Sequence, residues 1–197
     1  MRHFLVIQFL ILLMCLDNLY AQQVPQDSIY EKKWTSHIEL NNGSGLGAIS
    51  TSIGRFENNL KAYQLRLSQT YKVSDELHLG VGMGYDRYGN ISMLPLFGEL
   101  RTDMSKTTKI VPYIVAKMGY SIGRMANEGI NGRNLGGVMW QMGLGISFKL
   151  NHYQVINTSL NILGQQFRFD YFNRQGVMVL SENVGHSFLT FGIGYSF

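Results

Sequence analysis

Only one cysteine, Cys15, occurs in the 197 residues. It lies inside an N-terminal apolar run, so a chain cleaved behind that run has no disulfide and no Cys-ligated metal. Charge is also scarce, at 15% of residues, and the formal net charge of +4 comes from basic residues scattered without any Lys/Arg run. That scatter argues against nucleic acid as a partner and leaves a mild attraction to anionic lipid headgroups. There are three prolines. Behind the N-terminal region no apolar run reaches the ~20 residues a helix needs to cross a bilayer. His37, His78 and His152 show no ligand spacing, so no metal and no other cofactor is expected.

Glycine and aromatic residues are plentiful. The chain has 22 glycines and 12% aromatics, against a usual glycine share of ~7%. A chain this apolar, yet without helical spans, is either a soluble β protein or a membrane barrel.

The beginning reads as an export signal over residues 1–21. Arg2 and His3 form a basic start, Phe4 to Leu16 is almost wholly apolar, and Ala21 offers a small residue before Gln22. Lipidation of Cys15 is disfavoured by the bulky Met14 before it. Removing the segment takes away Arg2 and Asp17 and leaves the net charge unchanged. Residues 22–33 are polar and read as a flexible lead-in to a single domain over 34–197.

From Trp34 onward the dominant pattern has period two, the period of a strand. In the clearest segment Val138, Trp140, Met142, Leu144, Ile146 and Phe148 share one face, and small or polar residues share the other. Leu189, Phe191, Ile193, Tyr195 and Phe197 alternate with Thr190, Gly192, Gly194 and Ser196. Segments near 35–47, 63–73, 77–86, 93–104, 109–122 and 154–167 complete a set of eight. The first is weak, because Asn42 and Ser44 interrupt its apolar face, and Gln69 interrupts the second. Pro112 lacks a ladder donor and should mark a strand end or a bulge.

Connections alternate in length. Those near 74–76, 105–108 and 151–153 are tight, the link at 88–92 is intermediate, and those over 48–60, 123–136 and 168–185 are longer. Short periplasmic turns and longer outer loops are the habit of outer-membrane barrels. In hydrocarbon every backbone donor and acceptor must be paired, so the sheet must close, with its apolar face outward. The expected fold is all-β: a single eight-stranded antiparallel up-and-down transmembrane barrel. Glu39, Arg66, Glu99, Arg101 and Lys117 all fall on the polar phase and are expected to form an ion-pair network in the lumen. On the lipid face an Arg or Lys at midplane costs ~2–4 kcal/mol. Trp34, Tyr71, Phe148, Tyr195 and Phe197 are expected at the periplasmic rim, and Tyr63, Tyr85, Tyr120, Trp140 and Phe167 at the outer rim.

The last seven residues, Phe191-Gly192-Ile193-Gly194-Tyr195-Ser196-Phe197, resemble the C-terminal signal of bacterial outer-membrane barrels. Together with the leader and the strand count, they make 34–197 similar to small barrels of the OmpX and OmpA-transmembrane-domain kind. The resemblance implies the cell outer membrane, a monomer without an open pore, and membrane lipid and lipopolysaccharide as surroundings. It also implies recognition of the last strand by the barrel-assembly machinery, and a non-enzymatic role in envelope integrity, adhesion or surface interaction.

Two alternatives come from other classes. Small barrels include lipid A acyltransferases and deacylases, which use a His and a Ser near the outer rim. His186 and Ser187, with Glu182 nearby, are the local candidates. Neighbours on a strand point to opposite faces, so the pair is poorly arranged for catalysis and no catalytic residue is expected. A soluble lipid carrier of the lipocalin type would use the same alternation reversed, with the apolar face enclosed.

Overall fold

The computed structural model describes residues 33–51, 54–105, 109–124, 132–150, 154–172 and 178–197. The expected signal segment, Cys15, nearly all of the lead-in, and His152 lie outside these residues.

All the regular structure among them is β. The strands are β1 (Trp34–Leu46), β2 (Ala48–Thr51), β3 (Gly54–Glu57), β4 (Lys61–Lys72), β5 (Leu77–Tyr88), β6 (Ile91–Asp103), β7 (Ile110–Arg124), β8 (Gly132–Lys149), β9 (Val155–Phe172) and β10 (Met178–Ser196). Eight of them close into an antiparallel barrel in the order β1-β10-β9-β8-β7-β6-β5-β4. Closure runs through β1, which pairs with β10 from His37↔Ser196 to Leu46↔Ser187 and with β4 from Trp34↔Tyr71 to Ser44↔Lys61. No barrel strand is left with an edge along its shared length, as hydrocarbon requires.

The alternation runs apolar-out. Val81 is 70% exposed, Met118 69% and Leu144 62%, while Arg66 is 1%, Lys117 4% and Glu99 6% exposed. A continuous apolar belt of this size in water would exceed the few hundred Å² a soluble monomer exposes. The enclosed-face geometry of a lipocalin is therefore excluded, and the belt is the lipid-facing wall of a membrane barrel. Trp34 packs edge-on against Tyr71 at 5.0 Å, and Tyr195 stacks with Phe197 at 5.8 Å, forming part of the periplasmic girdle. Tyr63, Tyr85, Tyr120 and Trp140 stand outward near the other rim.

Phe167 departs from its expected place in the outer girdle. It is fully buried inside the barrel, because its odd number puts it in phase with the inward Asn161 and Gln165 of the same strand.

The outer connections also differ from the sequence reading. Most of 168–185, expected as a loop, is strand: β9 runs to Phe172 and β10 begins at Met178. Likewise β8 begins at Gly132, inside the expected 123–136 loop. The β5–β6 link is a two-residue hairpin at Gly89 and Asn90, with Gly89 at φ +58° in its first central position. The 48–60 stretch holds a small hairpin, β2–β3, rather than a plain loop.

Pro112 sits three residues into β7, with its carbonyl accepting from the Met104 amide at 2.8 Å. Its missing donor thus faces the residue just past the end of β6, and the strand-end expectation holds. Pro95 has a larger effect. The β5–β6 ladder runs from Leu77↔Thr102 to Met83↔Leu96 and resumes only at Asp86↔Met93. The gap lies where Pro95 has no N–H to give to the Gly84 carbonyl.

Candidate functional site

Inward side chains fill the lumen in layers. At the outer end Ala62, Tyr88, Met93, Phe97, Met139, Leu163, Phe167 and Phe188 form one buried apolar cluster. Tyr88 meets Phe167 edge-on at 5.4 Å and lies 4.8 Å from Phe188. Its hydroxyl donates to Asp86 Oδ2 at 2.9 Å and so joins the plug to the polar layer beneath.

In that layer Arg66 Nη2 meets Asp86 Oδ2 at 2.9 Å, and Gln64 donates to the same oxygen at 3.0 Å. The remaining Arg66 Nη donates to Gln141. Below it Lys117 is paired with Glu39 and lies 3.8 Å from Glu99. The Phe97 ring lies 5.5 Å from each of the two cations.

The periplasmic end is built around Arg101. Its guanidinium carbon lies 3.9 Å from the Tyr113 ring centroid. Its nitrogens donate to Ser147 at 2.6 Å, Asp103 at 3.0 Å and Asn157 at 3.3 Å. Tyr113 can lie flat because its cross-strand partner is Gly145, where a Cβ would come within 2.3 Å of the ring. His37 ties three strands together, with Nδ1 2.6 Å from Ser196 Oγ and Nε2 2.9 Å from Thr70 Oγ1. His78 faces Asp103 at 3.6 Å.

The five charged residues expected in the lumen are all there, but not as one network. Arg66 and Arg101 pair with Asp86 and Asp103, which lay outside that set, and only Lys117 draws Glu39 and Glu99 together. A cavity lined by His37, Glu39, Glu99, Arg101 and Lys117 has a volume of about 20 Å³, about enough for one water.

His186 and Ser187 are held apart by the strand. The His186 ring is buried, edge-on to Phe167 at 4.6 Å and 3.4 Å from Asn58 Oδ1. Ser187 takes the opposite phase, and its carbonyl accepts from Asn58 Nδ2 at 2.6 Å. Glu182 lies farther up β10, in the register of Phe169.

Above the barrel rim β8, β9 and β10 continue as a raised wall. Met178 to His186 pair with β9 only, since pairing with β1 ends at Ser187. The β2–β3 hairpin belongs to this region, and buried Asn58 pins its base to the rim of β10. The apolar plug and the raised wall were not foreseen. The plug's signal was present, since Tyr88, Met139, Leu163, Phe167 and Phe188 all sit on the polar phase near the outer strand ends.

No family model and no curated protein matches the chain. Solved structures do. The outer membrane protein OprG from Pseudomonas aeruginosa is similar with a TM-score of 0.53 and 15% identity, covering 85% of this chain and 97% of that one. Neisserial surface protein A (NspA) is similar with a TM-score of 0.51 and 12% identity, covering 82% and 95%. The fold is that of the small outer-membrane barrels. At these identities the likeness reaches the architecture and no further.

Proposed function

We propose that the protein is a non-enzymatic, non-conducting barrel of the outer membrane, with a structural or surface-interaction role. It acts as a monomer and is inserted by the barrel-assembly machinery through β10. One observation carries this reading: among the described residues an apolar plug lies over paired buried charges, and the cavity beside Glu39, Glu99, Arg101 and Lys117 has a volume of about 20 Å³. An ion crossing the lumen would have to displace the plug and part buried ion pairs. The raised wall of β8–β10 supplies the surface for any partner. The opposite facing of His186 and Ser187 supports a non-catalytic role.

The refolded protein in a planar lipid bilayer is expected to give no unit conductance steps. Steady steps from the wild type would overturn the sealed-lumen reading. Replacing 125–131 and 173–177, which join β7 to β8 and β9 to β10 in sequence, by short turns is expected to remove binding of cells to a surface partner while the barrel stays folded. Unchanged binding would dismiss these two connections as the contact surface.

A further inference from the structure

Asn42 is the anomaly of the lipid-facing wall. It stands on the outward phase of β1, exposed, in register with Tyr63 of β4 and Phe191 of β10. Among the described residues no hydrogen-bond partner of its side-chain amide is found. It lies four residues below the outer end of β1, about 10 Å at a rise of ~3.3 Å and a tilt of ~40°. An amide facing hydrocarbon there is unfavourable unless something hydrogen-bonds to it.

The surroundings of Asn42 form a groove. It crosses β10, β1, β4 and β5, with a volume of about 850 Å³. Tyr63 and Phe191, 53% and 52% exposed, wall it on either side of Asn42. One register row lower, Ile193, Leu40, Leu65 and Tyr85 make an apolar trough. The upper end carries charge. Arg87 pairs in register with Tyr63, and exposed Lys61 lies beside Gly89, whose amide donates to the Lys61 carbonyl at 3.0 Å. Neither cation has a carboxylate within ion-pair distance among the described residues. By contrast Arg168, the outward cation of β9, has Asp170 at 3.5 Å.

We propose that this groove holds one molecule of lipid A from the outer leaflet. Its phosphate meets Lys61 and Arg87, a hydroxyl or amide of an acyl chain meets Asn42, and the chain lies along Leu40 and Leu65. Lys61 stands one register row above Asn42, Arg87 stands in the Asn42 row and the apolar trough lies one row below, which suits an anionic lipid whose chains carry polar groups near the headgroup. The cationic end sits at the rim opposite Trp34 and Phe197, where both ends of the barrel domain lie, which selects the outer leaflet and hence lipid A over phosphatidylglycerol. The inference rests on the outer-membrane reading of the barrel.

The test is native mass spectrometry of the full barrel released from detergent micelles with added diphosphoryl lipid A, dephosphorylated lipid A or phosphatidylglycerol. A one-to-one adduct with diphosphoryl lipid A is expected, with retention of the other two lower by about tenfold or more. The Lys61→Gln/Arg87→Gln pair should bring diphosphoryl lipid A down to that level, and Asn42→Leu should weaken its retention. Lys109→Gln/Lys149→Gln on the opposite rim should not. Heat-modifiable gel mobility checks folding of each variant. As a second measure, a photo-crosslinking residue replacing Phe191 should label lipid A, and one replacing Met142 on the far wall should not. Unchanged retention in the Lys61/Arg87 variant, equal retention of phosphatidylglycerol, or equal labelling from both walls would each overturn the site. Failure of the wild type to fold into vesicles would instead refute the barrel reading beneath it.

Discussion

Arg66 and Asp86 meet at 2.9 Å with 1% and 0% exposure, so each is the other's main compensation for leaving water. Removing one partner strands the other in a packed lumen, which costs about 3–5 kcal/mol. Arg66→Met should therefore lower the unfolding free energy of the barrel in vesicles by that order, read as a lower urea midpoint. Arg66→Met/Asp86→Leu should recover most of the loss, since a matched apolar pair leaves no orphan charge. A double variant as unstable as the single one would show that geometry rather than charge pairing is at stake. Period two made the inward placement of Arg66 legible in the sequence. Its partner was not, because register across the barrel decides which inward carboxylate lies opposite, and a single strand's alternation carries no register. Phe167 was misplaced for a related reason: an aromatic near a strand end suits either a girdle or a plug, and only its phase tells them apart.

Pro95 shows how one residue limits a whole strand. The β5–β6 ladder lapses opposite it, leaving the Gly84 carbonyl without a donor from β6. Pro95→Val restores an N–H at a buried, inward position. A net gain of about 0.5–1.5 kcal/mol is expected, read as a higher urea midpoint and slower amide exchange at Leu94. The new amide at the substituted position should itself exchange slowly. Unchanged exchange at Leu94 would mean that the gap has another cause.

Asn58 works at the same scale. Its amide holds the hairpin base to β10 through Ser187. Asn58→Ala should speed amide exchange in β10 above Ser187, where pairing is with β9 alone, and leave exchange in β4–β7 unchanged. Existence and type of the eight barrel strands were readable from alternation. Their outer ends were not, because the period fades where a strand leaves the membrane and lipid no longer dictates its outward face. The 168–185 stretch, read as loop, is for that reason mostly strand.

The barrel over 33–197 divides its apolar content between its wall and its outer plug. The plug should dominate folding stability. Phe167→Ala removes a fully buried ring and is expected to cost about 3–5 kcal/mol, whereas Leu144→Ala on the 62%-exposed outer face should cost much less. The direction of that wall is the claim on which everything else depends, and the chain's two tryptophans provide a direct probe. Trp34→Phe leaves Trp140 alone, on the outward face and packed over Gly164, where a Cβ would meet its ring at 2.2 Å. In vesicles containing lipid brominated on its acyl chains, Trp140 fluorescence should be strongly quenched, while aqueous iodide should have little effect. Quenching by iodide with none from the brominated lipid would place the apolar face in water and contradict the account.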